Sequence, residues 1–439
     1  MAKTKPYNLF VIVAFIATSF PMIMGFINKN NKPNLTGIVI NNVNPDSLLK
    51  KDKSMWFSGE YQSLKDDYNN DHWAFKELFV RLNNQFYYDV FNQIRVNQFV
   101  SGKENYVFAD AAIQSYYGND FIGYEKTNEF LRKCKVIQDT LSEKGISFIL
   151  AYAPGKGVGA PNFIEDKYAK TIKETNLNAF TAQSKKIGLN HIDLAQYFHQ
   201  IKDTCKYPLY ARFAHHWTYY FDCLASQQII KYIEKLRGTD LPDLSWSEVE
   251  ISDTARSRDN DVLKSMNLYT TPAQNQLLAY PKIKFENDTA KNKTKLLAIG
   301  DSYWYGIVYM NIPYNCFAGG QFWYYNNRVV PNPNPAEKTE AWQLDLKQSI
   351  ESNKVVLVIG SDPALPKFGW GFIDDAYEMY TNPKSYYARI EKNRIIKGFE
   401  KQIREKPVLL KKATQKSNDF QIPLDSAIKL DAMKLAGLN

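Results

Sequence analysis

Short runs of consecutive apolar residues punctuate this chain, separated by stretches in which apolar residues return every three or four positions. The runs at 146–152, 191–194, 296–299 and 354–360 read as buried strands. The stretches 127–144, 171–187 and 217–236 read as helices by their spacing. Strands that are apolar on both sides and alternate with helices predict a parallel sheet covered on both faces. Functional loops of such sheets lie at the carboxyl ends of the strands. The segments 154–157, Ser302 and Ser361-Asp362 are therefore expected along one edge. Upstream, 56–97 is mainly helical in pattern, with Phe75, Leu78, Phe79 and Leu82 forming one apolar stripe. The tail beyond Phe399 predicts two or three short helices packed on the body, and no repeat at solenoid spacing is found.

The segment 8–27 is apolar almost throughout and carries no charge, a length that spans a bilayer as a helix. Lys3 and Lys5 precede it and no small-residue cleavage site follows. It is expected to be an uncleaved anchor whose attached body is exported, single-pass in a bacterial inner membrane. The divisions that follow are the anchor at 8–27, a membrane-proximal linker at 28–55, a helical lead-in at 56–125, an α/β domain at 126–400 and a helical tail at 401–439. With 439 residues, 44% of them hydrophobic, the chain can bury a sizeable core. Its net charge of +9 favours anionic partners. No nucleic-acid fold motif accompanies it, and no nucleic-acid partner is expected. Cys134, Cys205, Cys223 and Cys316 lack zinc-site spacing. Cys205 and Cys223 are the pair to test for a disulfide, two separate buried thiols being the alternative.

Chemistry concentrates at two places. The apolar run 296–299 stops in Gly300-Asp301-Ser302, a turn that can lift a serine hydroxyl to the sheet edge. Such a serine is a candidate nucleophile if a base is near, and an ordinary helix N-cap otherwise. Of five histidines, His72, His191 and His199 have no chemical setting, whereas His215-His216-Trp217 stands just before a helix. There is no HExxH and no ligand cluster, so no metal or other cofactor is called for. Pro154-Gly155-Lys156-Gly157 lacks the spacing of a phosphate loop. The aromatic run 322–325 could stack on sugars or simply fill the core.

In this order, Phe57-Ser58-Gly59-Glu60-Tyr61, Gly102-Lys103, Tyr152-Ala153-Pro154-Gly155-Lys156, His215-His216-Trp217, Gly300-Asp301-Ser302-Tyr303 and Phe368-Gly369-Trp370-Gly371-Phe372 resemble the alginate O-acetyltransferase group of AlgJ and AlgX type and the related DHHW proteins. The resemblance spans roughly residues 55 to 435. It implies an SGNH-hydrolase-like three-layer α/β/α domain with a mostly parallel central sheet behind one N-terminal transmembrane helix. It also implies a membrane-anchored enzyme that moves acetyl groups onto an extracytoplasmic polysaccharide, supplied by a membrane-bound acyltransferase partner. Mapped here, Ser302 is the nucleophile and His216 the base. The family's aspartate, two residues before that histidine, is Ala214 in this chain. Asp222 and Asp301 are the candidates to replace it. Lys156, Trp217, Tyr303, Gly320 and Asn326 are candidates for oxyanion or substrate contact. Ala364 stands where relatives have asparagine. Two other readings stay open: a catalytically degenerate, polysaccharide-binding or scaffolding relative, and a carbohydrate acetyl esterase.

Overall fold

The computed structural model describes residues 10–16, 18–20, 34–37, 44–73, 75–286, 291, 293–333 and 338–438. The strands among them are β1 (Phe99–Ser101), β2 (Val107–Ala109), β3 (Ser147–Ala153), β4 (His191–Asp193), β5 (Leu244–Ser252), β6 (Leu278–Phe285), β7 (Leu296–Gly300), β8 (Phe322–Tyr324), β9 (Arg328–Val330) and β10 (Val355–Ser361). Six of these form the central sheet in the order β4-β3-β10-β7-β8-β9. Its pairings are parallel except β8 with β9, which closes one edge as an antiparallel hairpin.

Both faces of this sheet are covered, which is why its strands read as continuous apolar runs. Ile149, Ala151, Leu296, Ala298, Leu357 and Ile359 point to one face, against the helices Leu194–Ile201, Tyr219–Arg237 and Tyr303–Tyr309. Phe148, Leu150, Leu297, Ile299, Val356 and Val358 point to the other, against Tyr124–Ser142 and Phe372–Thr381. The helices and strands expected at 127–144, 146–152, 171–187, 191–194, 217–236, 296–299 and 354–360 are all present, with small shifts at their ends.

Three features differ from the sequence reading. The first is an antiparallel ribbon, β5 with β6, inserted between the helix Tyr219–Arg237 and β7. The second concerns the helix Lys76–Phe91, on which Leu78, Phe79 and Leu82 stay exposed. Its polar side docks instead: Asn84 Nδ2 donates to Met266 O at 2.8 Å and Arg81 Nη1 to Leu268 O at 3.1 Å. The third is the cysteine pair. All four cysteines are free, and the Cys223 thiol lies 3.6 Å from Met310 Sδ rather than on Cys205. Helix packing holds Cys223 inside the core, so no bridge forms.

Of the apolar segment 8–27, residues 10–16 and 18–20 are helical, and the remainder lies outside the described residues. Among the described residues no helix is long and apolar enough to cross a membrane. The tail folds as the helices Pro383–Glu405, Pro407–Asp419 and Leu424–Leu435 around a small core of Ile396, Ile403, Ala413, Ile428 and Ala432.

Gly320 lies at the amino end of β7, away from the edge that carries Ser302. With φ +153°, any Cβ there would fall 1.7 Å from Leu296 O. It is a packing residue and not an oxyanion contact. Gly320→Ala is expected to destabilise the protein by about 2–4 kcal/mol through this clash and backbone strain. Denaturant unfolding measures this, and an unchanged midpoint would contradict the packing role.

Candidate active site

The carboxyl edge of the sheet collects the residues of interest. β7 ends at Gly300, where a Cβ would sit 2.6 Å from the Ile359 side chain on β10. The chain then turns through Asp301 and Ser302 into the helix Tyr303–Tyr309. Asp301 shapes this turn. Its Oδ1 accepts from the Tyr303 amide at 3.0 Å, and its Oδ2 accepts from both the amide and the hydroxyl of Ser361 at 2.8 Å. Asp301 thus steadies the start of the helix and links β7 to β10. Ser302 has no capping bond, and its hydroxyl is left for other work.

That hydroxyl lies 2.7 Å from His216 Nε2. His216 comes from the loop before the helix Tyr219–Arg237, and its Nδ1 lies 2.7 Å from Asp261 Oδ2. The other oxygen of Asp261 accepts the His215 amide at 2.9 Å, so the carboxylate is fixed at two points. Ser302, His216 and Asp261 therefore form one hydrogen-bonded chain, in the arrangement that activates a serine nucleophile.

The carboxylate behind the imidazole is neither of the two expected from sequence. Asp301 is engaged in the turn, as above. Asp222 is buried and accepts from Trp217 Nε1. Burial pushes the Asp222 carboxyl up to about 6, against Arg258 and the Trp217 bond. Ala214, at the family's aspartate position, is fully buried among Ala211, Ala255, Leu278 and Tyr280. The β5–β6 insertion covers that position with apolar side chains. The same insertion supplies Asp261, the first residue of the short helix Asp261–Ser265.

The insertion also supplies Arg258, whose Nη2 donates to Ser302 O at 2.7 Å and holds the nucleophile turn in place. No local motif announced either residue, since each lies more than forty positions from Ser302 and His216 in sequence. The visible trace was Ser257-Arg258-Asp259-Asn260-Asp261, a polar start before the apolar Val262 and Leu263.

The electrostatics suit base catalysis. Burial lowers the His216 imidazole below its usual value, and Arg258 adds to this, while the bond and charge of Asp261 oppose it. His216 is therefore neutral at pH 7 and able to take a proton. Burial alone would raise the Asp261 carboxyl, but the His216 hydrogen bond and the two imidazoles outweigh it and hold it down to about 2. Burial drives His215 down to about 3.

Lys156 does not face the nucleophile. It is fully buried, and its ammonium donates to Ala211 O, Arg212 O and Ala214 O at 2.7, 2.7 and 2.8 Å. Burial pushes the Lys156 amine well below its ordinary value, and its contacts with these three carbonyls make it a clamp on the histidine loop. Trp217 and Tyr303 are buried walls: the Tyr303 ring lies 5.1 Å from His216 and 4.8 Å from Trp217. Asn326 sits at the same sheet edge and gives its Nδ2 to Trp370 O at 3.1 Å. Its neighbour Tyr325, partly exposed and left-handed at φ 52°, has its phenol beside the Ser302 hydroxyl. Burial raises that phenol, so it stays protonated and can donate at neutral pH. A non-glycine residue held left-handed beside the nucleophile marks a place where neighbouring packing enforces the geometry.

Residues 100–302, just under half of the chain, match the family described as ALGX: SGNH hydrolase-like domain, acetyltransferase AlgX. The resemblance read from the motifs is found there. No curated protein matches the chain. Among solved structures, the O-acetyltransferase domain of Pseudomonas putida AlgJ is similar at 16% identity and TM-score 0.41, over 64% of this chain and 98% of that one. Pseudomonas aeruginosa AlgX is similar at 12% identity and TM-score 0.42, over 65% and 67% respectively. Bacillus cereus PatB1 is similar at 14% identity and TM-score 0.39, over 61% and 96%.

Proposed function

We propose, from the premise that residues 100–302 carry an AlgX-type SGNH hydrolase-like domain, that this chain is an O-acetyltransferase acting through an acyl-serine on a polysaccharide. The observation that carries the reading is the continuous chain Ser302–His216–Asp261. In the first half-reaction His216 Nε2 takes the Ser302 proton as Oγ attacks the acetyl carbonyl. The tetrahedral intermediate collapses, the donor's oxygen leaves with that proton, and acetyl remains on Oγ. In the second, His216 removes a proton from a sugar hydroxyl, whose oxygen attacks the acetyl-serine. Ser302 then recovers its proton. Asp261 holds Nδ1–H throughout and stabilises the imidazolium of each transition state. The Tyr325 phenol is a donor within reach of the developing oxyanion.

The acetyl donor in this proposal is a membrane-bound acyltransferase, and the apolar segment 8–27 tethers the exported body beside it. Ala214 speaks for a catalytically degenerate relative, and Asp261 at 2.7 Å from His216 Nδ1 supports the active reading over it.

The direct test is trapping with an activated acetyl ester. A single acetyl group on Ser302, followed by its appearance on a glycan, is the expected result. No adduct on Ser302, or release to water alone with glycan present, argues against transfer. The pH profile is a further check. Because His216 must be neutral and its pKa is lowered below 6.5, kcat/KM is expected to be level from pH 6.5 upward. It falls about tenfold per unit only at lower pH, once the imidazole protonates. An acid limb centred above pH 7 would contradict the assignment.

A further inference from the structure

Close to the proposed active site runs an open groove of about 440 Å³ that the chemistry above does not use. Its volume falls within the range of ligand clefts, about 300–1,000 Å³. One wall is the loop after β8 and the segment leading into β10, with Asn326, Asn327 and Trp342. The other wall is one face of the helix Pro383–Glu405, where Asn393, Arg394 and Lys397 recur at helical spacing.

The two walls differ in chemistry. Arg389, also in the groove, is matched by Asp375 at 2.7 Å and Glu378 at 2.6 Å. Arg394 is exposed, and the Lys397 ammonium stands 4.5 Å from the centre of the Trp342 ring. The groove therefore offers an aromatic face, three side-chain amides and an excess of positive charge. An aromatic face stacks on a pyranose ring, amides pair with hydroxyls, and the cations pair with acid groups. The surrounding helices reinforce the charge. Residues 383–439 hold thirteen Lys and Arg against six Asp and Glu, most of the net +9 of the chain. Such a field draws polyanions toward the cleft.

The groove also leads to the nucleophile. Asn326 follows Tyr325, whose phenol lies beside the Ser302 hydroxyl, and both contact Trp370: Asn326 by hydrogen bond, Tyr325 by a ring centroid distance of 5.1 Å.

We propose that this groove is an acceptor subsite for an acidic polysaccharide, held by Arg394, Lys397 and Trp342 so that a neighbouring sugar reaches Ser302. The proposal rests on the acyltransfer reading for its purpose but not for its test. A concave site with a ring platform suits a glycan strand; a flat lipid surface would not use Trp342 or the amides.

The test is equilibrium binding of a fluorescein-labelled polygalacturonate oligosaccharide to the full chain. Binding that weakens about tenfold or more in the Arg394→Glu/Lys397→Glu variant supports the site. A milder Arg394→Gln/Lys397→Gln variant, checked for native circular dichroism, is expected to weaken binding in the same direction. Ser302→Ala should bind like the parent, and neutral dextran should not compete. The proposal is overturned if the parent does not bind polygalacturonate, if both variants bind as tightly as the parent, if dextran competes equally, or if phosphatidylglycerol vesicles are bound in its place. Because acetylation of Ser302 by an activated ester is measured separately, loss of the subsite and loss of the acyltransfer reading give different results.

Discussion

Ser302→Ala is expected to eliminate the acetyl adduct and lower kcat for acetyl transfer by on the order of a million-fold. The magnitude follows from what the hydroxyl does, since without Oγ no acyl intermediate forms. The remaining donors can only assist direct attack by the acceptor. His216→Ala should cost nearly as much, and the double variant little more than either single one. A nucleophile and its base act as one unit and their losses do not add. KM for the acetyl donor should change little, because Oγ contributes to the transition state far more than to binding. Mass spectrometry of the trapped protein and steady-state transfer rates measure both effects. An adduct that persists in Ser302→Ala, or a rate loss below about a hundredfold, would place the nucleophile elsewhere. The substitution is small and Ser302 makes no helix-capping bond, so the fold should survive it.

The parts of the molecule that sequence revealed were those whose signal is local. The strand at 296–300 is a run of apolar side chains ended by a glycine, and both the run and its stop are written in adjacent positions. The same holds for β3 and β10, so the alternation of strand and helix, and the edge shared by Ser302 and Ser361, could be read directly. His216 was found because few histidines compete for the role. What stayed hidden depends on contacts between distant segments. β5 and β6 lie some 26 residues apart and carry mixed polar and apolar positions, because much of the ribbon is exposed. The exposed stripe on the helix Lys76–Phe91 misled for the converse reason. Apolar periodicity signals burial only if a partner exists, and the docking side of that helix uses Arg81 and Asn84. The lysine of the 154–157 loop looked like a ligand contact in sequence. Only the fold shows that three carbonyls of the histidine loop surround it.

The third member of the site is where sequence and structure part most sharply, and it yields the second large effect. Asp261→Asn is expected to lower kcat by on the order of ten-thousand-fold with the fold intact. The amide keeps the shape of the carboxylate but reverses one of its contacts. A carboxylate oxygen can only accept, so it fixes the proton on Nδ1 and leaves the Nε2 lone pair toward Ser302. An asparagine that turns its NH2 to Nδ1 stabilises the opposite tautomer, in which Nε2 already carries a proton and cannot take one from the serine. The imidazolium of each transition state also loses its counter-charge. Moving an aspartate back to position 214 should not restore this. Ala214 is sealed among Ala211, Ala255, Leu278 and Tyr280, and a carboxylate there would be buried without a partner. Ala214→Asp on the Asp261→Ala background is therefore expected to stay inactive and to lose about 3–5 kcal/mol of stability. Recovery of activity in that double variant would mean that the insertion can yield and that position 214 still serves the imidazole. Continued inactivity, with Asp261→Asn folded and slow, would mean that in this chain the orienting carboxylate is supplied by Asp261 of the β5–β6 insertion.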